Sequence, residues 1–251
     1  MRITSALRTA IDAYRQRRRH ARALAFTRLM SPAPNVRVLD LGGGDGSHIA
    51  QHLPHVQNVL VADILPDRLA VARDRYGYET RQLSADERTL PFDDAEFDVV
   101  FCSSVIEHAT GPKPWARACN STRDFEARAT ETQRQFAAEI ARVGHAYWVQ
   151  TPNRHFPIEA HSGLPSPFLW LPRSLQRQVN RLWVKKVLLD FRPLSARDMR
   201  RLFPGSSLYL ERSGGLVKSI TAYRRPVPEG VAGAEGVAGA TVRASGLRVR
   251  A

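Results

Sequence analysis

Val36-Arg37-Val38-Leu39-Asp40-Leu41-Gly42-Gly43-Gly44-Asp45-Gly46-Ser47 decides the fold of this chain. An apolar run enters an acid, passes through a glycine turn and reaches a helix start. Such a run reads as a buried parallel strand. Glycines just past its end let the backbone turn tightly and approach a ligand closely. The pattern Asp-x-Gly-x-Gly-x-Gly keeps its acid inside the strand end, which separates it from the dinucleotide fingerprint Gly-x-Gly-x-x-Gly. A phosphate-cradling loop needs Gly-Lys-Ser/Thr, and the stretch has no lysine.

Outward from this loop, strands and helices alternate. Helices are expected over residues 4–30, 47–52, 66–76, 124–143, 173–187 and 195–203. Strands are expected over 36–41, 59–63, 78–83, 97–102, 145–150, 207–212 and 216–223, the last two joined by a Ser213-Gly214-Gly215 hairpin turn. Pro66 and Asp67 sit where helix starts prefer them, and Ser195 suits an N-cap. The alternation implies an α/β, Rossmann-like, doubly wound seven-stranded sheet. Residues 152–172 hold five prolines among large apolar residues and read as a structured loop. Residues 229–240 repeat Glu-Gly-Val-Ala-Gly-Ala, and a tail over 224–251 has no aromatic residue to bury, so it is expected to be disordered.

The 251 residues, 43% of them hydrophobic, suffice for one α/β domain. Two cysteines, Cys102 and Cys119, make no disulfide framework and point to a reducing, cytoplasmic compartment. No apolar run has membrane-spanning length, and the first residues lack a secretory apolar core. The net charge of +13 is uneven: residues 1–30 and 172–201 each carry +7 and residues 224–251 carry +3, leaving the rest at −4. The basicity therefore sits on appendages, which argues against a nucleic-acid groove through the core and admits an anionic membrane surface or substrate. The histidines form no close ligand spacing along the chain and no Cys/His cluster exists, so no metal is expected. No Gly-x-Ser-x-Gly nucleophile turn is present.

The loop and its surroundings resemble the class I S-adenosylmethionine-dependent methyltransferases over about residues 34–223. The resemblance implies an antiparallel final strand; the domain is expected over 34–223 with a substrate or lid insertion at about 152–201, preceded by a basic N-terminal helix over 1–33 read from its own pattern. It places Gly42, Gly44 and Gly46 beside the cofactor's methionine part, with Asp40 near its amino group. Asp63 closes the second strand where an acid accepts both ribose hydroxyls, as in dinucleotide folds; Ile64 would pack on the adenine. Ala85-Asp86 resembles the adenine segment of the family, and Ser103 opens the segment after the fourth strand.

That segment, Ser103-Ser104-Val105-Ile106-Glu107-His108, resembles quinone and small-molecule methyltransferases. It offers Glu107 and His108 as candidate catalytic groups, with His108 either a base or a hydrogen-bonding support. Methyl transfer from a sulfonium releases a neutral leaving group, so placement of the nucleophile dominates. Tyr147 to His161 resembles bacterial methyltransferases of surface-glycan and lipid-linked sugar pathways. It adds His161 to the candidate catalytic set and Asn153, Arg154 and Glu159 to an acceptor pocket. Arg173, Arg177, Arg181 and Lys185 recur every fourth residue, with Leu171, Leu175, Val179, Leu182 and Trp183 on another face. This pattern gives either a lid helix with a wet face or peripheral contact with an anionic membrane. The expected activity is methyl transfer from S-adenosylmethionine to an oxygen, or a nitrogen, of a small-molecule, glycan or lipid-linked acceptor. Alternatives are a non-catalytic cofactor-binding scaffold and an RNA methyltransferase; the missing Asn-Pro-Pro-Tyr amine motif weakens the latter.

Overall fold

The computed structural model describes residues 5–33, 35–84, 89–183 and 187–226. In chain order it runs α1 (Ser5–Met30), β1 (Val38–Leu41), α2 (Ser47–His52), β2 (Val59–Asp63), α3 (Pro66–Tyr76), β3 (Glu79–Gln82), β4 (Phe97–Ser103), α4 (Lys113–Ala118), α5 (Thr122–Val143), β5 (Gly144–Pro152), α6 (Arg173–Leu182), α7 (Ala196–Leu202), β6 (Ser207–Ser213) and β7 (Leu216–Arg224). Single 3-10 turns lie at Ile106–His108 and Ser166–Trp170.

The seven strands form one sheet in the order β3-β2-β1-β4-β5-β7-β6. β1 lies parallel to β2 and β4, β2 to β3, and β4 to β5. β7 runs antiparallel to both β5 and β6. This is the expected mostly parallel sheet with an antiparallel final strand. The chain leaves β1 toward β2 and later returns to β1's other side with β4. Loops after β1 and β4 therefore diverge at the carboxyl edge and open a crevice between them.

Period-two alternation assigns the two faces. Leu39, Leu41, Val100, Cys102, Tyr147 and Val149 pack with Ile140 and Val143 of α5 and Met199 of α7. Val38, Val61, Val99, Phe101 and Trp148 pack on the other side with Ile49 of α2, Leu69 of α3 and Phe26 and Met30 of α1. Phe26 is fully buried and meets Phe101 and Trp148 edge-on, with ring centroids 5.6 and 5.3 Å away. The N-terminal helix is thus part of the core. Arg18 of α1 donates through Nε to Glu211 Oε1 at 2.9 Å, fixing the helix to β6.

Several boundaries differ from the sequence reading. The first strand begins at Val38 and the third spans only Glu79–Gln82. α5 begins at Thr122 because the Ser121 side chain accepts from Asp124 N and caps it. Helix α4 escaped the sequence reading because its six residues are too short for a periodic signal. The helix expected over 173–187 stops at Leu182, where Trp183 turns extended and its indole Nε1 donates to Ser162 O at 3.0 Å. Ser195 and Asp198 form a reciprocal capping box on α7, as the N-cap assignment required. Among the described residues no helix is long and apolar enough to cross a membrane. Residues 227–251 of the tail lie outside the described residues, while Arg224 ends β7 and donates through Nη2 to Gly144 O at 2.8 Å.

The basic row of α6 needs correction. Arg173 is only 3% exposed. Its guanidinium donates to Cys119 O at 3.0 Å and to Ala116 O and Leu189 O at 2.6 Å each, and lies 3.5 Å from the Phe125 ring centroid. Arg177 donates to Arg117 O and Ala118 O at the end of α4, where a cation suits the helix dipole. Lys185 lies outside the described residues. The row therefore faces protein at its first two positions. The apolar row divides as well: Leu171 and Val179 pack on Leu164, Phe168, Leu189 and Phe191, whereas Leu175 and Leu182 are exposed.

Candidate functional site

The loop after β1 carries Gly42, Gly44 and Gly46 at φ values of 73°, 58° and 71°. Gly43 is required for a different reason. A Cβ there would lie 2.2 Å from Asp40 Oδ2, so the loop closes directly over the acid. Gly42 N donates to Ala62 O at 2.7 Å, and Gly44 N donates to Asp63 Oδ2 at 2.9 Å. Leu65 N donates to Asp63 Oδ1 at 2.9 Å. Asp63 therefore ties the glycine loop to the end of β2 and keeps lone pairs for further donors. Ile64 beside it is exposed. Asp45 accepts from Ser47 N and Oγ just before the Gly46 N-cap of α2, and these Ser47 bonds hold its carboxyl below the usual range. Ala85 and Asp86 lie outside the described residues.

Asp40 is 2% exposed, and its Oδ2 accepts no hydrogen bond. Burial, reinforced by Asp63 and Asp45, pushes its carboxyl up to about 8. It borders an open cleft of about 240 Å³ with Gly42, Gly43, Ser103 and Ser104. Ser103 and Ser104 both donate to Gln150 Oε1, at 2.7 and 3.2 Å, which joins the ends of β4 and β5. Two lining residues escaped the sequence reading: Arg22 of α1 and His48 of α2. Arg22 is one of eight arginines among residues 1–30, and only packing of α1 against the sheet singles it out. Its Nε is buried without a hydrogen-bond partner, and a terminal nitrogen lies 3.9 Å from Glu211. Burial holds His48 down at about 3, so its imidazole is neutral at pH 7.

Glu107, His108 and His161 are brought together although 53 residues separate the histidines. His108 Nε2 and His161 Nε2 lie 3.1 Å apart, and Glu107 Oε1 is 3.9 Å from His161 Nε2. His161 Nδ1 meets Glu159 Oε1 at 2.7 Å, and His108 Nδ1 lies 3.7 Å from Asp190 Oδ1. Glu107 is fully buried; its Oε2 accepts from Thr151 Oγ1 at 3.0 Å and its Oε1 accepts no hydrogen bond. Burial raises the Glu107 carboxyl. Burial also acts to raise Glu159, but four donors, His161 N and Nδ1 and Ser162 N and Oγ, prevail and hold it at about 2.

Beside this cluster lies a crevice of about 10 Å³, lined by Glu107, Asn153, Arg154, Glu159 and His161. That volume admits about one water, so a larger acceptor requires the segment 153–170 to part. Asn153 is engaged in the fold, with Nδ2 donating to Val217 O and Oδ1 accepting from His155 N. Among the described residues three buried side-chain polar atoms lack a hydrogen-bond partner: Arg22 Nε, Asp40 Oδ2 and Glu107 Oε1. All three residues border these two cavities. Buried polar groups are otherwise almost always paired, so each of these three atoms calls for a partner such as a water, an ion or a ligand.

Residues 38–125 match the model of a methyltransferase domain family. The chain has a class I methyltransferase fold. Magnesium protoporphyrin IX methyltransferase from Synechocystis PCC 6803, solved with bound SAH, superposes with a TM-score of 0.51 at 13% identity over 89% of each chain. The PH0226 protein from Pyrococcus horikoshii OT3 gives 0.51 at 18% identity over 85% of this chain and 91% of that one. Demethylmenaquinone methyltransferase of Clavibacter sepedonicus is 34% identical over 92 residues, which are 36% of this chain and 38% of that protein. The methyltransferase family match includes the glycine loop, Asp63 and the Glu107-His108 turn, and stops before the loop that carries His161.

Alanine at position 43 tests how tightly the methyltransferase loop is drawn over its acid. Gly43→Ala forces Asp40 or the loop to move, and overpacking of this kind costs about 1–3 kcal/mol. The expected result is a lowered melting temperature together with loss of S-adenosylhomocysteine affinity, read by thermal unfolding and calorimetry. Wild-type values in both would show that the loop stands away from Asp40.

Proposed function

We propose that the chain transfers a methyl group from S-adenosylmethionine to an oxygen of a small-molecule, glycan or lipid-linked acceptor. The observation that supports this most is Asp40 Oδ2, an unpartnered carboxylate oxygen buried at the floor of a glycine-lined cleft. A cationic ammonium satisfies it, and Arg22 on the same cleft suits the neighbouring carboxylate of an amino-acid group. Asp63 at the next strand end accepts ribose hydroxyls while Gly44 N and Leu65 N hold its orientation. Bound there, the cofactor supplies an electrophilic methyl on a sulfonium. Ser103 and Ser104 bring the end of β4 to the cleft, and Glu107 and His108 follow within one turn. On this reading His108 and His161 would orient the acceptor oxygen.

Titration calorimetry with S-adenosylmethionine, paired with a methyl-transfer screen on cell-envelope extracts, tests this reading. Asp40 gives the titration a specific sign. Its folded carboxyl is raised above the unfolded value of 3.8 to about 8, so the ligand-free protein loses stability as pH rises between those values. An ammonium beside it lowers that pKa again. Binding at pH 7 is therefore expected to release most of a proton from Asp40, whereas at pH 9.5, where Asp40 is ionised and the free amine is neutral, binding as the ammonium takes a proton up. Proton release is read by comparing buffers of different ionisation enthalpy. Binding with no release at pH 7 would remove Asp40 from the ammonium contact. Binding without transfer to any acceptor would favour the non-catalytic reading.

A further inference from the structure

We infer that Glu107, His108 and His161 form a site for a first-row divalent cation, of which Zn²⁺, Co²⁺ and Mn²⁺ are the natural probes. One ligand atom from each residue lies within 4.8 Å of the other two. The two Nε2 atoms are 3.1 Å apart. A tetrahedral ion with metal–nitrogen bonds of about 2.0–2.1 Å requires an edge of roughly 3.3 Å between two such ligands. The observed separation is therefore close to what the ion would impose.

A carboxylate stands behind each ring, in hydrogen-bond contact with His161 and 3.7 Å from His108. Glu159 meets Nδ1 of His161 at 2.7 Å, and its own oxygens are held by Ser162. Asp190 faces Nδ1 of His108 and is anchored by Arg117 Nε at 2.9 Å. A carboxylate on Nδ1 sets the tautomer that leaves the Nε2 lone pair for a metal, the usual outer support of metal-bound histidine. Phe191 stacks on the His161 ring with centroids 4.3 Å apart and walls one side. Glu107 supplies the independent mark. It is fully buried, Thr151 occupies one carboxylate oxygen, and the other, Oε1, faces the histidines without a hydrogen bond. An unpaired carboxylate oxygen is costly at zero exposure, and a cation compensates it.

Two imidazoles and one carboxylate suit zinc, iron, cobalt, nickel or manganese rather than magnesium or calcium. Three protein ligands leave coordination positions open, as in catalytic rather than structural sites. Glu107 and His161 also line the crevice beside the cluster, so an open position there would take an oxygen of the acceptor. This last role rests on the methyltransferase reading; the metal site itself does not.

Tag-free full-length protein, stripped with chelator and titrated with CoCl₂, provides the test. One equivalent is expected to bind with visible d–d absorption that Zn²⁺ displaces. His108→Gln and His161→Gln are each expected to weaken Co²⁺ binding at least 100-fold while S-adenosylhomocysteine affinity, measured in parallel, confirms an intact fold. Absence of stoichiometric binding would overturn the proposal and leave a proton-bridged histidine pair. Binding and spectrum retained in both variants would place the ion elsewhere and overturn it too. One-equivalent Co²⁺ binding in a protein that binds no S-adenosylmethionine would uphold the site and refute the methyltransferase reading instead.

Discussion

Asp63→Ala is expected to weaken S-adenosylhomocysteine binding by about 10- to 100-fold and to lower the melting temperature in the same variant. The two effects have separate causes. Removing the acceptor for a buried pair of ribose hydroxyls costs about 1–3 kcal/mol of binding. The same carboxylate also accepts from Gly44 N and Leu65 N, so its loss frees the glycine loop from the end of β2 even without ligand. Asp63→Asn separates them. Its amide oxygen can keep one backbone donor, while its NH₂ faces the other backbone N–H donor against donor but can still donate to a ribose hydroxyl. Calorimetry and thermal unfolding on both variants are the measurements. Unchanged affinity in Asp63→Ala would remove Asp63 from the cofactor site.

The largest loss of stability is expected from Arg173→Ala, about 3–5 kcal/mol. One guanidinium serves three backbone carbonyls, of Ala116, Cys119 and Leu189, and stacks on Phe125. Truncation leaves those carbonyls short of a donor in a buried place, the mechanism behind large single-site effects. Arg173→Lys is expected to recover little, because an ammonium cannot span three acceptors in the plane of a fork. Arg181→Ala, at an exposed position of the same helix, is expected to change stability by less than about 0.5 kcal/mol. Denaturant unfolding of the three variants tests this directly. Equal, small effects at both positions would restore Arg173 to a solvated face.

Arg173 also shows where the sequence was legible and where it was not. A repeat of four marks one helix face, but periodicity carries no sign saying whether that face meets water or protein. The carbonyls that receive Arg173 belong to α4 and to Leu189, remote from it in sequence and invisible to a local pattern. The sheet was legible for the converse reason. β1, β2, β4 and β5 are buried on both faces or nearly so, and their composition records that burial within a few residues, whereas the edge strand β3 is mostly exposed. Asp40, Gly42, Gly44 and Asp63 were legible because strand ends and backbone turns are local. Arg22 was not, since its meaning depends on α1 lying across β1 and β6. The pairing of His108 with His161 was equally hidden: ligand spacing was sought along the chain, whereas the fold closes the distance in space.

The order of the strands has a consequence for how such a protein diversifies. Asp40, the glycines and Asp63 all lie within the first 63 residues of the chain. His161, Asp190 and the crevice wall at 153–170 come from the segment that joins β5 to α7. Among the described residues the stretch from Ser103 to His108, with Gln150 and Thr151 at the end of β5, joins the two neighbourhoods. Inheritance can therefore act on the two halves of the reaction almost independently. On the methyltransferase reading, change in the later segment would alter which molecule is accepted while the earlier segment went on holding the same donor. Such a division leaves the donor half recognisable among distant relatives, and the acceptor half as the place where each lineage keeps its own record.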